Sequence, residues 1–154
     1  MVADAIDGES ALAVYAALLN KGAVPRMVGA KLGKVSTAQG ATIGVEISME
    51  AGPSVLYDAV VIPGGKVAIQ QLSQDGNALE FIRLQHRHCK PMLVLAEAGS
   101  FLSKADVPAI LPDETADPSI IVIGNDGLSQ GIEKFMQALQ THRCYERETE
   151  PPAA

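Results

Sequence analysis

The stretch Lys90-Pro-Met-Leu-Val-Leu-Ala-Glu-Ala-Gly99 decides the fold. A proline opens it, four consecutive apolar residues follow, and small residues around Glu97 then bend the chain toward a helix. A continuous apolar run of this length between turn signals reads as a strand buried on both faces, the mark of a parallel sheet. The strand-to-helix turn, with small residues flanking one reactive side chain, has the form of a nucleophile elbow. Here the side chain at its tip is a carboxylate, Glu97.

Upstream, "SVLYDAVVIPGG" carries a second buried strand that stops at Pro63-Gly64-Gly65, and downstream "SIIVIGN" gives a third. Between them, "QDGNALEFIRLQHRHCK" reads as a helix with Leu79, Phe81 and Ile82 turned inward, and "GLSQGIEKFMQALQTHRC" as the closing helix. "GESALAVYAALLNKG" is helical, with Ala11, Leu12, Tyr15, Leu18 and Leu19 on one face and with Asp7, Glu9 and Ser10 as cap and first-turn candidates. "AVPRMVG" reads as a short strand and "GKVSTAQGATIGVEIS" as two strands around a turn. Strands and helices in alternation predict an α/β, flavodoxin-like three-layer sandwich with a central, mostly parallel sheet. Chemistry in such folds sits at the carboxyl ends of the strands. Only "MVADAID" stands before the first helix, so the first strand reads as truncated, and the expectation is that this chain is a piece of something longer. The core domain is read as residues 1–144, and the charged, proline-containing 145–154 as a disordered tail.

The 154 residues suffice for one domain with its own core, and apolar residues at 47% against charged ones at 19% exclude a disordered chain. A net charge of −6 without a basic stripe argues against a nucleic-acid partner. No apolar run is long enough to span a membrane. Cys89 and Cys144 show no metal or redox spacing and fit reduced thiols in a cytoplasmic protein. His86 and His88, two apart, point to different sides of a helix. The acidic loop "ADAIDGES" would repel a phosphate, so no mononucleotide or other cofactor is expected, and no metal.

Taken together, "VADAIDGESALAVYAALLNKGA", "KLGKVSTAQGATI", "GPSVLYDAVVIPGG", "RHCKPMLVLAEAG" and "THRCYERE" resemble, across nearly the whole chain, one family. It is the C-terminal domain of large-subunit bacterial and fungal haem catalases, related to the class I glutamine amidotransferase and PfpI protease superfamily. The resemblance implies a module that follows a haem-bearing catalase barrel, with that barrel and the sister subunits of a tetramer as partners. Haem then belongs to the parent, since no stretch here matches the barrel's distal His and Asn or its ligating Tyr. Tyr15, Tyr57 and Tyr145 lie in a helix, a strand entry and the tail. In catalytic relatives the elbow residue is a cysteine, often followed by a histidine; Glu97 and Ala98 stand at those positions. Gly64 and Gly65 match the relatives' oxyanion turn. Asp7 and Glu9, from the loop after the first strand, are the acidic residues that can approach Glu97, where clustered carboxylates would raise a pKa. The preferred reading is a site that has lost its attacking atom, with Glu97 capping a helix N-terminus. Two alternatives stand beside it, a stand-alone PfpI-like hydrolase or glyoxalase-type enzyme and a chaperone-like binding module.

Overall fold

The computed structural model describes residues 1–95, 98–124 and 127–148. Helix α1 (Gly8–Asn20) leads to β1 (Val28–Gly29), the hairpin β2 (Gly33–Ser36) and β3 (Thr42–Val45), and β4 (Ile47–Ser48). There follow β5 (Val60–Ile62), α2 (Lys66–Leu72), α3 (Gly76–Arg87), β6 (Met92–Leu95), α4 (Gly99–Lys104), β7 (Ile120–Ile123) and α5 (Leu128–Gln140). Strands β5, β6 and β7 form a parallel sheet in that order, with Val60, Val61 and Ile62 opposite Met92, Leu93 and Val94, and Met92–Leu95 opposite Ile120–Ile123. Strands β1 and β4 pair in parallel, and β2 and β3 pair antiparallel.

The sheet's alternation sorts the core into two layers. Val60, Ile62, Met92 and Val94 face Ile69, Leu72, Phe81, Ile82, Phe101 and Leu102 of α2, α3 and α4. Leu93, Leu95 and Ile121 face Val14 and Leu18 of α1 and Ile132 and Phe135 of α5. All four β6 residues are buried, so this strand is the centre of a three-layer sandwich with helices on both faces. Burying each such side chain contributes about 1.5–3 kcal/mol.

Met1 and Val2 lie between β1 and β5. The Met1 amino group donates to the Val61 carbonyl at 2.9 Å, and the Val2 amide to the Val28 carbonyl at 2.7 Å. Met1 and Val2, both buried, thereby bridge the β1 and β5 sides of the sheet. The chain then turns through Ala5, whose φ is 59°.

Three expectations change. In α1 the inward stripe is Ala11, Val14 and Leu18, whereas Leu12 and Leu19 are exposed. The latter two sit roughly 110° round the helix from that stripe, and contact with Leu93 and Phe135 selects the stripe containing Val14. Strand β7 is not covered throughout: Val122 is exposed, because among the described strands β7 pairs only with β6 and forms an edge. The tail is ordered at its start, since Tyr145–Arg147 form a 3-10 turn and Arg147 is buried against Asp117 and Ser119. A charge this far along the sequence reads as solvated until its buried counterion is known. Residues 149–154 lie outside the described residues.

Candidate functional site

At the carboxyl edge of the sheet, the loop after the first strand meets the turn after β5. Asp7 caps α1, its Oδ1 accepting from the Ser10 amide at 3.5 Å and from the Gln39 side-chain amide at 3.4 Å. Its own amide donates to the Gly64 carbonyl at 3.0 Å. Asp7, Gly64 and Gly65 are therefore brought together, and Glu9 lies exposed in the first turn of α1. Ala98 is fully buried at the start of α4. Glu97 lies outside the described residues.

The glycine at 65 answers to packing. Its φ is +113°, and a Cβ there would lie 2.8 Å from both the Ala5 carbonyl oxygen and the Asp7 amide nitrogen. Gly65 lets the β5–α2 turn close on the first loop and opens α2. Gly65→Ala is expected to cost about 2–3 kcal/mol, through left-handed strain and overpacking, read as a lower urea midpoint with unchanged slope. A tolerated alanine would mean that the two turns are not locked together.

The same loop is tied to the hairpin. Asp4 accepts from the Ser36 amide at 2.7 Å and its hydroxyl at 3.0 Å, and these bonds hold the Asp4 carboxyl below its ordinary range. The Ser36 hydroxyl lies 3.2 Å from the Ala5 amide, which donates to it, and the Ala38 amide donates to the Ile6 carbonyl at 2.8 Å. Sequence reading passed over Asp4 and Ser36, because neither carries a motif; the one available signal was a short acidic side chain in a tight turn. Asp4, Asp7, Ser36 and Gln39 are thus engaged in caps and loop ties. Among the described residues no group of three or more His, Cys, Asp or Glu side chains converges as a metal would require.

The cysteines lie at the opposite, amino edge. Cys89 is buried with φ 57° just before β6, and the Cys144 amide donates to its carbonyl at 2.9 Å. Burial pushes both thiols up, away from the thiolate needed for attack. Burial likewise lowers the pKa of His86, with the Arg147 charge adding to it. Lys90, also buried, donates to the carbonyls of Ser54, Val55 and Tyr57 at 2.9, 3.4 and 2.6 Å and so fixes the turn before β5. The described cavities open at this amino edge too. One, of about 490 Å³, lies between Met1, β1 and β5, and one of about 280 Å³ lies among Arg87, Cys89, Lys90 and Arg143.

A central parallel sheet between two helical layers, with a glycine turn and an acidic loop meeting at its carboxyl edge, defines a flavodoxin-like α/β domain. The fold is similar to the DJ-1/ThiJ/PfpI-like two-domain protein of Anabaena variabilis, at TM-score 0.76 and 15% identity over 96% of this chain and 50% of that one. It is also similar to oxidized DJ-1 of Toxoplasma gondii, at TM-score 0.70 and 16% identity over 96% of this chain and 89% of that one. Residues 2–149 match the family described as the C-terminal domain found in long catalases, and the chain belongs to that family. It is 29% identical to catalase HPII of Pseudomonas putida over 96% of its length and 28% identical to catalase-1 of Neurospora crassa over 96%. The similarity to catalase HPII of Mycobacterium avium is 32% over 77%. The chain spans 19%, 23% and 18% of those three proteins respectively, about a fifth of their length.

Proposed function

We propose that this chain is the non-catalytic C-terminal module of a cytoplasmic long catalase, with a core domain whose boundary lies beyond residue 144. Its role is to hold the oligomer of an enzyme that converts hydrogen peroxide to water and oxygen at a haem carried by the barrel domain. The family match over residues 2–149 carries this reading. The site geometry supports it. Asp7 is engaged as a cap and Gly65 in packing, and Ala98 offers no base at the position where relatives carry a histidine. Glu97 fits the role of a helix-terminus carboxylate in a site without its nucleophile. The aliphatic side chains that α1 turns outward, Leu12 and Leu19, suit contact with the barrel or a sister subunit.

The tyrosines do not fit a haem ligand here. Tyr57 packs its ring on Phe81 with its hydroxyl against Gly52, Tyr15 packs against the core beside the first loop, and Tyr145 projects from the surface. The purified chain is expected to show no Soret band and to release no oxygen from peroxide. Removing the module from a full-length parent is expected to leave turnover per haem unchanged while lowering the heat-inactivation temperature and loosening subunit assembly. Peroxide turnover by the isolated chain, or a truncated parent that assembles as firmly as the intact one, would overturn the proposal.

A further inference from the structure

We propose that the pocket at the amino edge, among Arg87, Lys90 and Arg143, is an anion site that takes a phosphate monoester with an aromatic body. It lies at the opposite edge from the acidic first loop, where a phosphate would be repelled. Four of the twelve Lys and Arg residues gather at this corner of a chain whose net charge is −6. The fourth, Arg147, is paired with Asp117. Arg87, Lys90 and Arg143 have no carboxylate at ion-pair distance among the described residues. Buried Lys90 directs its Nζ at the carbonyls of Ser54, Val55 and Tyr57, so its charge is fixed in place without being neutralised. Arg143 is near enough to add to the lowering that burial imposes on the Lys90 pKa. Arg87 stands in the last turn of α3, but the Leu84, Gln85 and His86 carbonyls there already accept from the His88, Lys90 and Cys89 amides. Its guanidinium has no acceptor among the described residues, and that of Arg143 has only the neighbouring His142 carbonyl. Most of their N–H donors are left for a ligand.

The lining selects the ligand. Three cations against the one carboxylate among the described lining residues, Glu148, leave two net positive charges. A phosphate monoester carries about −1.5 to −2 at neutral pH, so it matches that excess better than a carboxylate does. Planar guanidinium forks also suit its oxygens, which they bind in pairs. Glu148 disfavours a second phosphate. The volume of about 280 Å³ equals about nine waters at about 30 Å³ each, room for a ring and its phosphate but not for a dinucleotide. Val55 and Tyr145, both exposed, supply the apolar part of the lining, and the Tyr145 ring offers a face on which an aromatic body stacks.

The probe is phenyl phosphate, titrated calorimetrically into the intact chain at low ionic strength and followed by the amide shifts of His88 and Tyr145. Binding with shifts at both residues is expected, severalfold tighter than that of inorganic phosphate or benzoate. Arg87→Gln and Arg143→Gln, neither of which breaks an ion pair among the described residues, are each expected to weaken it about tenfold with the urea midpoint unchanged. Tyr145→Ala is expected to weaken phenyl phosphate severalfold and to leave inorganic phosphate as it was. Lys66→Gln, which removes one exposed charge at the carboxyl edge, is expected to leave binding unchanged. Absence of binding at millimolar phenyl phosphate would overturn the proposal. So would benzoate binding as tightly as phenyl phosphate, or equal losses in Lys66→Gln and Arg143→Gln, which would show attraction by overall charge alone.

Discussion

Arg147→Ala lowers the stability of the fold by about 3–5 kcal/mol, the cost of leaving one buried charge without its partner. Asp117 and Arg147 are only 3% and 8% exposed, and the Arg147 Nε donates to Asp117 Oδ2. The guanidinium also donates to the Lys90 carbonyl at 2.9 Å and the Ser119 hydroxyl at 2.6 Å. One side chain thus fastens the C-terminal turn to the entrances of β6 and β7. Asp117→Ala is expected to cost a similar amount, because the stranded cation is then as poorly solvated as the stranded anion. The double variant Asp117→Leu/Arg147→Met is expected to recover much of the loss, since it leaves neither charge. Urea unfolding of the four proteins decides this, and additive losses would mean that the two residues act separately.

Acid should remove the same contribution. Burial pushes the Asp117 carboxyl up, but the bonds from Arg147 and Ser119 and the Arg147 charge outweigh it, and the net pKa is lowered. A carboxylate whose folded pKa is depressed stabilises the fold above its unfolded value near 4 and loses that contribution as pH falls through the folded value. Wild type is therefore expected to lose more stability than Asp117→Ala on acidification below about pH 4.

This ion pair also marks the limit of what the sequence displays. The strands β5, β6 and β7 are legible because a doubly covered parallel strand has no polar face, and α3 because Asp75 caps it, accepting from the Asn77 amide at 2.8 Å and the Ala78 amide at 3.2 Å. Helix α2 escapes notice because seven residues, "KVAIQQL", hold too few turns for a periodicity to show. Leu12 and Leu19 look like core because hydrophobicity alone does not say which of two adjacent apolar stripes finds a partner. Arg147 looks like tail because its partner is 30 residues away in sequence. At the candidate site the positions of Asp7, Gly64, Gly65 and Ala98 follow from strand order. The engagement of Asp7 in a cap and of Gly65 in loop packing does not, since both depend on how closely two turns approach.

The free α-amino group of Met1 should make stability rise with pH between about 5 and 8, and the size of the effect follows from its burial. Withdrawal from water lowers its pKa from 8.0 to about 5 in the fold, while it donates to the Val61 carbonyl. Between those values the unfolded chain holds a proton that the folded chain has released, so the slope of unfolding free energy with pH is positive. Over the whole window the gain is on the order of 4 kcal/mol, complete above pH 8 and absent below pH 5. His86, whose pKa burial also lowers, acts in the same direction below about 6.5, so wild type alone does not isolate the amine. N-acetylated protein does: its amide keeps a donor for Val61, never takes up a proton, and adds an acetyl group that the neighbouring cavity can hold. Urea midpoints measured from pH 5 to 8 are expected to converge for the two proteins at pH 8 and to separate progressively toward pH 5, with the acetylated form the more stable. Parallel curves would mean that water reaches the amine in the folded state and that Met1 and Val2 are not sealed between β1 and β5.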